Sequence, residues 1–179
     1  MGFTHYFKRP AILPKKQWKE FTKELQMLRA HLPKQCITAG SDSNEPIRIC
    51  GWDEKEQEYI PDASILLSED EVAFNGEGDN AHESLNISRV IDKKGYSQPD
   101  KETGLAFGFC KTARKPYDTM VCLTLISFKR WFNRKVVISS DGDKEDWEPA
   151  IKLYHDLTDA HVVTYDLLMH DPNEEKDDE

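Results

Sequence analysis

The segment Phe109–Asp118 concentrates residue types that bind and transform charged molecules. It reads Phe-Cys-Lys-Thr-Ala-Arg-Lys-Pro-Tyr-Asp, which sets a thiol, cations, a phenol and a carboxylate side by side. An apolar alternating run precedes it and an apolar helical pattern follows it, so we expect it to link a strand to a helix. The first amides of a helix lack intrahelical partners and carry partial positive charge. Cations gathered beside them predict an anion site.

The ligand of this site is predicted to be a small phosphorylated molecule, most simply a nucleotide. Arg114 offers fork-shaped donors that match phosphate, and Tyr117 offers a stacking or hydroxyl contact. Cations are normally disfavoured at a helix N-terminus, so their presence indicates function at the expense of local stability. The alternative is that Asp118 pairs with Arg114 and the lysines are solvated. The predicted ligand-binding residues are Lys111, Arg114, Lys115, Tyr117, Asp118, Asn75 and Cys110.

A second segment, Phe74–Glu83, is the predicted partner of the first. Its glycines do not follow the spacing of a dinucleotide-binding loop or a P-loop. His82 and Glu83 close a turn before a strand, where loop residues can face a pocket. They are the candidate catalytic pair, a general base with its orienting carboxylate. The alternative is a surface histidine beside a turn acid.

Cys110 supports two interpretations. A cysteine near Lys111 and a helix start would have a lowered thiol pKa, and His82 with an acid would complete a nucleophilic set. However, strand alternation places Cys110 on the same face as Ala106 and Gly108, which predicts a tight packing face or the floor of a ligand site. The packed thiol is the favoured interpretation.

No metal site is predicted. A cluster of His82, Glu83, Asp79 and Asp141 is conceivable, but no ligand spacing supports it. The cysteines lie far apart without a Cys-x-x-Cys pair, and are expected to be reduced, mostly buried thiols. The sequence leaves any cofactor unknown. The cysteines are Cys36, Cys50, Cys110 and Cys122.

Three segments with helical apolar periodicity must hold these residues in place. The first begins at Pro14 and ends at Pro33. The second begins at Pro116, which suits a first helical turn, and is largely buried. The third spans Lys144–Leu157, after a turn at Ser139–Gly142. The stripe of the first helix is Trp18, Phe21, Leu25, Leu28 and Leu32.

Short apolar runs between the helices predict strands, while Gly51–Pro61 is predicted to be an acidic loop. The mixed order of elements predicts a single α+β domain over residues 1–168, with several mainly antiparallel strands and about three helices. Residues 169–179 are predicted to be a disordered acidic tail. The predicted strands are Phe3–Lys8, Ile47–Cys50, Ile65–Leu67, Val72–Phe74, Leu85–Val90, Leu105–Cys110, Val136–Ile138 and Val162–Leu168.

Charge and hydropathy narrow the classes of partner. The 179 residues include 33 acids and 24 bases, which gives a formal net charge of −9. Such acidity argues against general nucleic-acid binding, because phosphate backbones need a basic face. No apolar run approaches the ~18 residues of a membrane helix, and no secretory signal is recognised. A cytoplasmic protein without membrane association is predicted, and its oligomeric state is left open.

Four parts of the sequence resemble a family of small uncharacterised proteins of bacteriophages and bacteria. They are Gly2–Tyr6, Phe74–Gly76 with His82-Glu83, Phe109–Asp118 and Ser139–Gly142. The resemblance extends from the N-terminus to about Leu157, and the Phe109–Asp118 motif is its most specific part. It implies a cytoplasmic setting, that of the host if phage-encoded, and interference with host metabolism or defence signalling. It carries over no catalytic residue.

The leading functional prediction is therefore the binding, with or without processing, of a phosphorylated ligand, such as a host nucleotide signal that a phage protein sequesters. Whether the protein is an enzyme is left open. One alternative is a hydrolase or transferase with His82 as general base. Another is an acidic module that binds a basic host protein and depends on the tail Asp171–Glu179.

Overall fold

In a computed structural model, the described part of the chain folds into two antiparallel sheets and four α-helices. The structure describes residues 2–38, 45–61, 63–92, 97–160 and 163–172. The strands are β1 (Thr4–Pro10), β2 (Ile49–Asp53), β3 (Glu58–Pro61), β4 (Leu66–Ser68), β5 (Glu71–Gly76), β6 (Leu85–Ser88), β7 (Leu105–Lys111) and β8 (Val137–Ser140). The helices are α1 (Lys15–Ala30), α2 (Asp118–Phe132), α3 (Lys144–Thr158) and α4 (Tyr165–Met169). This confirms the predicted α+β class.

The smaller sheet has the order β7-β1-β8. Tyr6 lies opposite Phe109 on one side and Ser139 on the other. Because side chains alternate along a strand, His5, Phe7 and Arg9 of β1 face inward and Tyr6 faces outward. The central strand therefore supplies both a buried face and an outer face.

The larger sheet follows the order β3-β2-β5-β4, and β6 also pairs with β5. All of its pairings are antiparallel. Strand β5 of this sheet ends within the Phe74–Glu83 segment, and β6, which follows that segment, contacts β7. The two segments predicted to form the site, Phe74–Glu83 and Phe109–Asp118, therefore each begin at the end of a strand, and the two strands belong to different sheets.

The core forms where α1 packs against α2, and buried residues of both sheets join it. Phe21 and Phe128 have ring centroids 5.4 Å apart, and Phe128 and Phe132 have centroids 5.1 Å apart. The α2 residues Asp118–Lys129 are all buried, so this helix lacks the polar face of a surface helix. At its far end the buried Lys129 Nζ donates to the carbonyls of Val136 and His170, 2.8 and 3.0 Å away.

Two of the predicted elements are wrong. The final predicted strand is Val162–Leu168, of which Val162 lies outside the described residues. The remainder contains α4, which begins after Thr164 because its hydroxyl accepts from Leu167 N. The predicted loop Gly51–Pro61 contains β3, which pairs with β2. Of the predicted acidic tail, residues 173–179 lie outside the described part of the chain. No helix in the described ranges is long and apolar enough to cross a membrane.

Candidate functional site

The turn between β7 and α2 is built from unusual backbone conformations. Ala113 and Arg114 both have positive φ, at 51° and 59°. The amides of Thr112 and Ala113 donate to the carbonyl of Phe3, at 3.0 and 3.1 Å. Residues other than glycine rarely adopt such angles, so the surrounding contacts hold the predicted motif in one shape.

Two of the predicted ligand-binding cations, Arg114 and Lys115, already bind acceptors within the same chain. Arg114 Nη1 donates to Asp146 Oδ1 at 2.6 Å, and its guanidinium lies 3.8 Å from the centroid of the Phe3 ring. The hydrogen bond that Arg114 donates to Asp146 outweighs partial burial and raises the pKa of Arg114. Lys115 Nζ donates to Asp79 O at 2.8 Å. The weighed alternative, a pair between Asp118 and Arg114, does not form.

The start of α2 is enclosed. Tyr117 and Thr119 have no exposed surface, and Asp118 is 2 % exposed. Tyr117 O accepts from Met120 N and Val121 N, at 2.9 and 3.1 Å. An anion can reach this end of the helix only if the surrounding chain moves. Ligand binding by this helix start stays a prediction, and the structure shows what would have to open.

Hydrogen bonds to Glu83 connect the segment Phe74–Glu83 to the segment Phe109–Asp118. Its carbonyl accepts from Tyr117 Oη at 2.7 Å and from Cys110 Sγ at 3.3 Å, and its carboxylate accepts from Lys111 N at 3.0 Å. Burial raises the pKa of Cys110 to about 12. The sulfur is thus a protonated thiol near neutral pH, as the packed-thiol interpretation expects.

His82 and Asn75 lie on the turn of the second segment. Asn75 Oδ1 accepts from His82 N at 3.2 Å, and Asn75 Nδ2 donates to His82 O at 3.0 Å. Asn75 is therefore engaged in shaping the turn, while the His82 side chain is exposed. Among the described residues no hydrogen bond joins the side chains of His82 and Glu83. The predicted base and orienting acid are neighbours in sequence without forming a pair.

A buried histidine–aspartate pair lies elsewhere, between β1 and α2. His5 Nε2 is 2.8 Å from Asp118 Oδ1, and His5 Nδ1 is 2.8 Å from Ser140 Oγ. Thr112 Oγ1 also donates to Asp118 Oδ1, at 2.5 Å. Burial by itself raises the pKa of Asp118, but the hydrogen bonds that it accepts from His5 and Thr112, together with its electrostatic interaction with His5, outweigh burial and lower it.

The residue types Ser140, His5 and Asp118 are those of a hydrolytic triad. However, the His5 imidazole has no exposed surface, so a substrate cannot reach it in this conformation. The network also includes Cys122, whose Sγ lies near both His5 and Asp118. Sequence reasoning identified Asp118 but not its partner. The available signal was the position of His5 between Phe3 and Phe7 on an inward face, where a polar ring needs a partner.

A second feature missed from the sequence is the Arg9 cleft, a cavity of about 250 Å³ that lies beside β1 and β7. Arg9 is only 4 % exposed, and burial lowers the pKa of its guanidinium to about 10. Its one hydrogen bond within the described residues runs from Nη1 to Pro10 O, at 2.9 Å. No acidic side chain in the described ranges forms an ion pair with it.

Apolar and polar groups share the lining of the Arg9 cleft. Ala106 and Gly108 lie on the inward face of β7, so the face predicted as a packing face or ligand floor does line a cavity. Phe7 and Phe107 add aromatic surface. Hydroxyl, amide and carboxylate groups come from Ser88, Ser97, Asn86 and Asp92. This combination of apolar walls with a few convergent polar groups is typical of small-molecule sites.

A row of aromatic rings extends from the cleft over the outer face of the smaller sheet. Phe107 stacks against Tyr6 and Phe109, with centroids 6.0 Å apart in both pairs. Phe107 and Phe109 are 48 % and 51 % exposed. Exposed phenylalanines are costly in water, and aromatic rows on a sheet face are a known way to stack bases.

Known proteins supply no guide to this arrangement. No family model, curated protein or solved structure matches the chain. The family resemblance of the sequence thus stays a prediction, and no residue inherits a role from a relative. The contacts of this chain carry the functional inference by themselves.

Proposed function

We propose that this protein binds a nucleotide, with the phosphate at Arg9 and the base on Phe107. The supporting observation is the buried guanidinium of Arg9, which faces a cleft and has no acidic partner among the described residues. Burying a charge without a counter-ion is unfavourable, so such a group is retained where a ligand supplies the opposite charge.

The size of the cleft supports the division of the ligand between two surfaces. Its volume of about 250 Å³ lies below the ~300 Å³ at which drug-sized ligand pockets begin. The cavity can therefore hold a phosphate and part of a sugar, while a base must lie outside. Phe107 belongs to the edge strand β7 and to the lining of the cleft, while its ring stacks on Tyr6 at the outer face, so the base reaches it around that edge of the sheet. Stacking on an aromatic ring contributes ~1–3 kcal/mol per base.

The polar lining suits the sugar. The hydroxyls of Ser88 and Ser97 and the carboxylate of Asp92 line the same cleft as Arg9. Carboxylates accept hydrogen bonds from ribose hydroxyls in dinucleotide-binding folds. The predicted ligand class is thus kept, and its site moves from the enclosed start of α2 to the Arg9 cleft. In the phage setting that the sequence resemblance implies, such binding would sequester a host nucleotide.

The alternatives from the sequence have less support. A hydrolase that uses His82 lacks the predicted pair with Glu83, and the paired histidine, His5, is enclosed. The acidic protein-binding module depends on a tail whose residues 173–179 lie outside the described ranges. Both stay predictions.

The proposal is tested by measuring the binding of nucleoside 5′-monophosphates, unphosphorylated nucleosides and inorganic phosphate to the full chain by calorimetry. Arg9→Met is expected to abolish binding of the monophosphates. Lys16→Met is the matched control, because it removes the same charge from an exposed position on α1 that does not line the cleft. Monophosphate affinity that is equal in the two variants would overturn the role of Arg9.

The base contact has its own test. Phe107→Ala is expected to weaken monophosphate binding by roughly tenfold, as ~1.4 kcal/mol of lost stacking predicts, and to leave inorganic phosphate binding unchanged. Phe109→Ala is the control, since Phe109 belongs to the same row without lining the cleft. A Phe107 variant that binds monophosphates normally would restrict the site to the phosphate alone.

A further inference from the structure

Three potential metal ligands meet between β1 and α2. Asp118 and Cys122 are four positions apart and so lie on one face of the helix. β1 brings His5 against that face. All three side chains are buried, and one ligand atom from each lies within 4.8 Å of the other two.

The sulfur distances suit coordination better than hydrogen bonding. Cys122 Sγ is 3.8 Å from His5 Nε2 and 3.7 Å from Asp118 Oδ2. The thiol of Cys110 comes closer to its acceptor, at 3.3 Å. Ligands bound at ~2.0–2.3 Å around a tetrahedral zinc ion are separated by ~3.5 Å, which is close to the distances at Cys122.

The neighbouring groups orient these ligands as the outer partners of a metal site do. His5 Nδ1 contacts Ser140 Oγ at 2.8 Å, which leaves Nε2 to point at Asp118 and Cys122. Thr112 Oγ1 donates a hydrogen bond to Asp118 Oδ1 at 2.5 Å and so fixes the carboxylate. Partners of this kind fix the ring orientation and raise ligand affinity.

We propose that His5, Asp118 and Cys122 bind one zinc-class divalent ion. Thiolate, imidazole and carboxylate together form a ligand set that zinc accepts, and the two carboxylate oxygens of Asp118 complete four donors. On binding, the Cys122 S–H bond breaks, sulfur keeps the electron pair for the metal, and the proton goes to solvent. The contact between His5 Nε2 and Asp118 Oδ1, 2.8 Å long, opens by roughly half an ångström to admit the ion.

The site is structural, because its ligands are enclosed and no substrate reaches them. The ion joins β1 to α2, two elements that are far apart in sequence. This inference is independent of the nucleotide proposal, since none of the three residues lines the Arg9 cleft. Failure of one proposal leaves the other intact.

The test uses cobalt(II), which reports thiolate coordination through a charge-transfer absorption. The full chain is unfolded, stripped of metal with a chelator and refolded with cobalt(II), so that burial does not block entry. One ion per chain with a thiolate–cobalt band is the expected result. Refolded protein without that band, or without stoichiometric cobalt, would overturn the proposal.

Variants identify the ligand. Cys122→Ser is expected to lose the thiolate band, and Cys110→Ser, which removes another buried thiol, is expected to keep it. A band that survives Cys122→Ser would show that another cysteine binds the ion and would refute the site. Since the wild-type measurement needs no substitution, a variant that fails to fold leaves the proposal testable. Zinc is also expected to raise the melting temperature of the wild type more than that of Cys122→Ser.

Discussion

Two buried polar regions on the same strand are built in opposite ways. At one end of β1, His5 has a partner at both ring nitrogens, and Asp118 accepts hydrogen bonds from more than one residue. Further along the inward face, Arg9 is nearly as buried but donates only to Pro10 O among the described residues. The His5 network is enclosed and ties β1 to α2, whereas an unpaired cation beside a cavity indicates a ligand that arrives from solvent.

The largest expected loss of stability comes from removing Asp118, the hydrogen-bond acceptor in the His5 network. Asp118→Ala leaves His5 and Thr112 buried without their acceptor and should lower the free energy of unfolding by ~3–5 kcal/mol. Urea denaturation measures this loss. Asp156→Ala is the matched control, because Asp156 pairs with Lys152 at the surface, and it should lose much less. Equal losses would mean that the His5 network is no more important than a surface pair.

Acid pH is expected to weaken the same region progressively. The folded-state pKa of Asp118 is lowered, so its contribution to stability is complete above the unfolded pKa of ~3.9 and is lost as pH falls through the folded value. The stability difference between wild type and Asp118→Asn should therefore shrink below about pH 4. A difference that stays constant to lower pH would contradict the ionised state of Asp118.

A smaller effect is expected at the floor of the Arg9 cleft. A Cβ atom added at Gly108 would lie 2.4 Å from Phe7 Cζ, so Gly108→Ala must displace that buried ring. A destabilisation of ~1–3 kcal/mol and weaker nucleotide binding are expected from the overpacking. In Gly2→Ala the added methyl meets only the flexible end of Lys111, and this control should behave like the wild type. Thermal unfolding and calorimetry measure the two effects.

The smallest expected change in stability is an increase, and it gives the sharpest contrast between Arg9 and the His5 network. Arg9→Met keeps the apolar stem and removes an unpaired buried charge, so it should stabilise the protein by about 1 kcal/mol while it abolishes binding. Lys16→Met, on the exposed face of α1, should change neither property. A clear loss of stability in Arg9→Met would show that Arg9 is as structural as His5.

The elements with strong periodicity were predictable from the sequence. The stripes of α1 and α2 and the alternation at Leu105–Cys110 recur within a few residues, and the structure contains all three. β3 and α4 were missed because each is short and is set by its neighbours, a hairpin partner for β3 and the Thr164 cap for α4. Local pattern fails where pairing or capping decides the conformation.

The candidate sites were less predictable than the fold. The sequence marks Asp118 as chemically interesting, but its partner His5 is 113 positions away. The sequence also predicts that Ala106 and Gly108 share a face that could form the floor of a ligand site. It gives no sign that Arg9 lines the same cleft and has no acidic partner among the described residues. Charge compensation is a property of three-dimensional neighbours, so residue types alone cannot show where it is missing.

The position of β1 in its sheet also constrains how the chain matures. Thr4 N donates to a carboxylate oxygen of Asp141, 137 positions later, and β1 lies between β7 and β8, both of which are synthesised long after it. During translation this strand must wait without hydrogen-bonding neighbours until most of the chain has left the ribosome. Non-local pairing of this kind slows folding and prolongs exposure to aggregation, so the smaller sheet should close only after β8, the last of its strands to be synthesised, has emerged from the ribosome.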